Sequence, residues 1–243
     1  MKRIVVPVGF VIALALSALS VAGQTQSRED ILKQLEAKRS EIAALEKRFL
    51  APSEEDQTTY ADFLRLPDTG LIRLLPREKY DTEAYKDGTK YLTMRGGGAY
   101  YSFSRLTHEY GFGSDIELDH GRLSTGFAGA DYGLLTDLSD TPLENVSLES
   151  AAGQVFANYS PAEDEPRARI EQRRTSEGAT SNGVSYKRSQ QVRLNSTYLL
   201  RSVNYGRSDV LVAFRIVRID NDDSVTILWK QLKKYPTPYL ARN

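Results

Sequence analysis

An α+β fold, with an N-terminal amphipathic helix or helices followed by an antiparallel β-rich domain, is predicted by three observations. Ser27 to Phe49 carries apolar residues at helical spacing between charged ones. Thr197 to Lys234 holds three runs rich in Val, Ile, Leu and Tyr, separated by turn-forming residues. Between them, from Thr89 onward, short alternating segments are punctuated by glycines. Helices that precede a sheet, without interleaving, belong to the α+β class.

Residues 1–23 read as a secretory signal peptide. Lys2 and Arg3 form the positive start, Ile4 to Leu19 the apolar stretch, and Ser20-Val21-Ala22-Gly23 the small-residue cleavage region. A retained membrane anchor is the rival reading, because the apolar run Ile4–Ala22 is 19 residues long. Cleavage places the protein outside the cytoplasm, secreted or periplasmic, with no membrane segment afterwards. The chain has no cysteine, which fits a bacterial envelope and excludes disulfides, thiolate metal sites and thiol nucleophiles.

Residues 24–66 form the expected helical segment. Ser27 caps the first helix, with Asp30 three residues on. Ile31, Leu35, Ile42, Leu45 and Phe49 form a seam in which Lys38 takes one heptad position. The seam is read as packing on the chain's own domain, with a short coiled coil making a homo-oligomer through Ser27–Phe49 as the rival. Ser53 before Glu54, Glu55 and Asp56 starts a second helix that runs to about Leu64.

Residues 67–243 form the expected β-rich domain. Leu71–Leu75 and Tyr91–Met94 are short strands, and Ala99–Tyr110 is a full one. Asp115 to Asp119 alternates, with Ile116 and Leu118 facing in and three acids facing water. Residues 160–195 hold a mobile loop, with polar strands at Arg167–Arg173 and Val184–Leu194. Of the last three strands, the middle one, Asp209–Ile219, is apolar on both faces and is therefore central in its sheet. Val225, Ile227 and Trp229 share a core face.

The formal net charge is zero, with 32 basic and 32 acidic residues. The zero is a cancellation. Residues 107–166 hold 12 acids and Arg122 as their one basic residue, whereas residues 167–243 hold 15 basic residues and 6 acids. Cross-strand pairing between the two segments is the expected outcome. The balance excludes the global basic character of a nucleic-acid binder.

The candidate metal ligands are His108, Glu109, Asp115, Glu117, Asp119 and His120, since imidazole and carboxylate bind zinc, calcium or related ions. No fixed-spacing motif joins them, and a short strand separates the two histidines. Asp220-Asn221-Asp222-Asp223-Ser224 resembles the start of a calcium loop, yet lacks its glycine and closing glutamate, and reads as a turn. Leu66-Pro67-Asp68-Thr69-Gly70 matches the sortase-substrate pattern without the C-terminal tail that signal needs. No residue stands out as catalytic and no cofactor motif is present. The expected function is a non-catalytic binding or structural domain whose partner is a protein or an envelope polymer. The alternative is a metal-dependent extracytoplasmic hydrolase built on the His108–His120 segment.

Overall fold

The computed structural model describes residues 27–82, 94–108, 110–111 and 113–241. The signal segment, the expected strand at Tyr91–Met94 up to Thr93, and Glu109 lie outside the described residues. The fold is α+β with antiparallel sheets. Contacts divide the chain into two compact units, Met1–Glu41 and Ile42–Asn243.

Helix α1 spans Arg28–Phe49. Its start follows from Ser27, whose Oγ accepts the Asp30 N–H at 3.1 Å and donates to the Asp30 carboxylate at 2.7 Å. No residue of α1 is buried; within the second unit its last turns make contacts, with the Phe49 ring 5.8 Å from that of Tyr80 and Glu46 accepting the Met94 N–H at 3.3 Å. Ser53 caps α2 (Glu54–Thr59) by accepting the Asp56 N–H. The chain breaks at Tyr60 and resumes as α3 (Ala61–Leu64), so the single expected helix is two short ones.

The larger sheet has the order β1-β11-β10-β9-β5, built from β1 (Thr69–Leu74), β5 (Tyr132–Asp137), β9 (Thr197–Asn204), β10 (Ser208–Ile219) and β11 (Val225–Lys234). As expected, β10 is central. Val210, Val212, Phe214 and Ile216 enter one core, and Leu211 and Ala213 enter the other. The smaller sheet, order β2-β3-β4-β8, comprises β2 (Tyr100–Tyr101), β3 (Ile116–Asp119), β4 (Arg122–Ser124) and β8 (Ser189–Gln191). Its Tyr101, Ile116, Leu118 and Leu123 pack with Leu200, Val212, Phe214 and Trp229 of the larger sheet. The opposite face of the larger sheet is covered by α4 (Ala151–Ala157) and α5 (Glu165–Glu177), through Ala152, Phe156 and Ala168.

Three expectations are corrected. The strand expected over Ala99–Tyr110 stops after Tyr101. The buried Asp115 carboxylate takes the Phe103 N–H at 2.7 Å, and Ser102 and Thr107 bridge to close a turn. The strand expected at Arg167–Arg173 is instead part of α5. Asp164 accepts the Arg167 N–H at 2.8 Å and Pro166 stands in the first turn, both helix-start features. The loop expected nearby is instead the end of α5 and a hairpin of β6 (Ala179–Ser181) and β7 (Val184–Tyr186). The Asn182-Gly183 turn has positive φ at both residues, 46° and 79°, as a two-residue hairpin requires.

The acidic and basic segments do meet. Arg193 pairs with Asp137 at 3.2 Å and Arg215 with Asp140 at 2.5 Å. The Asp220–Ser224 turn is engaged by cations: Arg73 lies 3.1 Å from Asp220, and Lys79 lies 2.5 Å from Asp223. Among the described residues, no helix is long and apolar enough to cross a membrane.

Candidate functional site

Two arrangements collect the chemistry-bearing groups of the second unit. The first is a cleft of about 590 Å³, lined mainly by apolar side chains. Leu50 at the end of α1, Leu64 of α3, Ile72 of β1, and Tyr101, Leu106 and His108 from the chain around the 102–107 turn form its walls. Glu46, Lys47 and Gln57 also line it. Its size lies within the range of small-ligand pockets.

His108 is anchored here by the edge of the sheet. β1 pairs with β11 on one side, and on the other its Arg73 carbonyl lies 2.7 Å from His108 Nε2. A carbonyl can only accept, so Nε2 carries the proton and Nδ1 is left as the acceptor nitrogen. The ring also meets Tyr101 edge-on at 5.1 Å. Burial lowers the His108 pKa, partly offset by the Arg73 bond, so the imidazole is neutral near pH 7. Leu106 holds a left-handed backbone conformation at φ 55° while its side chain is 63% exposed. That is a strained position for a branched residue.

The second arrangement lies at the C-terminal end of β3. Asp119 and His120, both expected candidates, join Glu78, and one ligand atom from each falls within 4.8 Å of the others. His120 Nδ1 lies 3.1 Å from Asp119, and the His120 N–H donates to Glu78 at 3.0 Å. The Asp119 hydrogen bond raises the His120 pKa. Nothing in the sequence links Glu78 to His120; a single π-helical turn, Glu78–Thr82, carries it there. These donors suit zinc or calcium in kind; Glu78 and Asp119 are half-buried and His120 is exposed, with Asp119 paired to the His120 ring and Glu78 to the His120 backbone N–H.

Asp115, just before β3, and Glu117, within it, do not face water as expected. Glu117 accepts from the Tyr100 hydroxyl and from Arg77 at 3.0 Å. Burial raises its pKa against the pull of those two donors. Asp115 is fully buried and accepts from Phe103 N–H at 2.7 Å and Asn204 at 2.8 Å. Both are structural acceptors between strands. Neither belongs to the Glu78–Asp119–His120 group, and nor does His108. Arg77, Tyr100 and Glu78 carry no sequence signal, because each acquires its role from a partner about 20 to 40 residues away. A comparison with protein-family models, curated proteins and solved structures found no match.

Proposed function

We infer that this chain is an exported, non-catalytic binding protein of a bacterial envelope, and that the apolar cleft beside His108 is its ligand site. The observation that carries this reading is the cleft itself: apolar walls around one neutral imidazole with a defined tautomer. Such a lining favours an apolar body with a single hydrogen-bond donor, which Nδ1 of His108 accepts. An exposed segment of a protein partner or an apolar portion of an envelope polymer has this chemistry. The signal-type N-terminus supports export.

The metal-dependent alternative rests on Glu78, Asp119 and His120. The His120 ring is already paired with Asp119, and the group is without an apolar enclosure, so the binding reading is preferred.

The test is a thermal-shift screen of the purified protein against hydrophobic small molecules and lipids, with zinc and calcium as separate arms. A ligand present at a hundred times its Kd stabilises by about 2.7 kcal/mol. The expected result is a rise in Tm with an apolar ligand that disappears in Leu106→Arg. A rise with zinc alone, lost in His120→Ala, moves the function to the β3 end. Turnover of ester, glycoside or peptide substrates overturns the non-catalytic reading.

A further inference from the structure

We propose that the open edge of β1, beside the cleft, takes the amino end of an extended peptide from a protein partner as an added antiparallel strand. This rests on the cleft being the ligand site, and it names the class of ligand the site takes.

The register of the sheet fixes which backbone groups are free. β1 is an edge strand, paired on one side with β11. The Gln231 N–H donates to the Asp68 carbonyl at 2.8 Å, and hydrogen-bonded pairs then recur at Gly70–Trp229, Ile72–Ile227 and Leu74–Val225. Thr69, Leu71, Arg73 and Leu75 therefore turn their N–H and C=O groups outward. At one end this edge is occupied: the Leu75 N–H donates to Gly98 at 3.2 Å, and the Arg73 carbonyl accepts from His108 Nε2. Thr69 and Leu71 have no such backbone partner among the described residues. Two donors and two acceptors are left, repeating about every 6.8 Å.

The surroundings select the occupant. Leu71 and Ile72 belong to the cleft lining, between the last turns of α1 and the 102–107 turn. A second copy's β1 is recessed in the same way, so two such edges do not meet. An apolar small molecule enters but leaves these donors and acceptors unpaired. A single extended backbone is complementary to all four. The residue opposite Leu71 sets its side chain beside Leu71 and Leu64, and the residue opposite Ile72 sets its own beside Ile72 and Tyr101. Two successive apolar residues fit. His108 stands against Arg73 where the added strand would continue, so the strand ends there. Its acceptor Nδ1 attracts an ammonium group and repels a carboxylate, which places the amino end at His108 and makes the strand antiparallel to β1.

The test uses tetrapeptides with a free amino end, the first two residues varied among Val, Leu, Ile and Phe and the last two Ser-Lys. Amide hydrogen exchange of the full chain is read by NMR. A peptide at ten times its Kd is expected to slow exchange at Leu71 and Thr69 about tenfold and to leave Ile72, already bonded to Ile227, unchanged. N-methylation of the second peptide residue removes the donor to the Leu71 carbonyl and is expected to weaken binding about tenfold. N-methylation of the third, whose N–H points away from β1, is expected to leave Kd within about twofold. Equal effects at the two positions, or the reverse order, overturn the added strand. Leu71 exchange that slows with protein concentration alone assigns the edge to a second copy and also overturns it. If no peptide protects Leu71 while a non-peptide apolar ligand raises Tm, this inference fails and the cleft reading stands; if neither binds, both fail.

Discussion

Arg201 of β9 and Asp209 of β10 form a two-point ion pair, Nε to Oδ1 at 2.9 Å and Nη2 to Oδ2 at 2.8 Å, with both side chains 2% exposed. The third guanidinium nitrogen donates to the carbonyls of Phe156 at 2.7 Å and Tyr159 at 2.6 Å. The plane lies 3.7 Å from the Tyr235 ring centre. One side chain thus joins the central sheet to the exit of α4 and to the segment after β11.

Removing either charge leaves the other buried without a partner. Arg201→Ala or Asp209→Ala is expected to lower stability by about 3–5 kcal/mol. The double variant is expected to lose less than the two single losses together, since no orphaned charge remains. Urea denaturation of all four proteins gives the coupling; additive losses refute the pair as a unit.

Buried carboxyls make stability fall as pH rises through the weakly acidic range. Burial pushes Asp115 up to about 6, against hydrogen bonds from Ser202, Phe103 N–H, Ser104 and Ser102. Burial also pushes Asp131 up to about 6, against the Tyr205 N–H hydrogen bond and the Arg207 charge, with Asp115 reinforcing. The folded protein keeps these protons above the unfolded value of 3.8, so it binds more protons than the unfolded chain between the two values. Their contribution is complete below 3.8 and is lost as pH rises through about 6. For Asp115 the shift corresponds to about 3 kcal/mol. Stability measured across this range in the parent and in Asp115→Asn checks it: the difference between the two proteins is expected to change with pH in this window and to be flat above it.

Leu106 combines left-handed strain with exposure at the cleft. Leu106→Gly relieves a cost of about 1–2 kcal/mol and adds chain entropy worth about 0.5–1 kcal/mol, for a net gain of about 0.5 kcal/mol. The same change is expected to weaken ligand binding, because it removes an apolar wall. Denaturation and ligand titration of one variant measure both effects; a loss of stability contradicts the strain argument.

Gly153 lies at the start of α4 under the preceding turn. A Cβ there falls 1.9 Å from the Ser147 carbonyl oxygen. Gly153→Ala is expected to cost about 3 kcal/mol, at the top of the overpacking range. A Tm within a degree of the parent excludes the close approach.

Periodicity carried far in this chain. The seam of α1, the capping serines at positions 27 and 53, and the two-faced β10 each follow from local residue order. The helix α5 was also legible, since Asp164-Glu165-Pro166 is a helix start, but its polar composition masks the period. The Asn182-Gly183 hairpin carried its turn signal in the same stretch.

The candidate site was less legible. The sequence by itself determined that His108 and His120 stand among acids, and that Asp115, Glu117 and Asp119 alternate along one strand. Only the tertiary structure decided what that alternation means. It sends His108 to the Arg73 carbonyl and a cleft, and Asp119 and His120 to Glu78. It buries Asp115 and Glu117 between strands. Alternation reports which side chains share a face, a property of neighbouring residues. Whether that face meets water, a second sheet or a π-helical turn depends on contacts made across tens of residues, which local order does not encode.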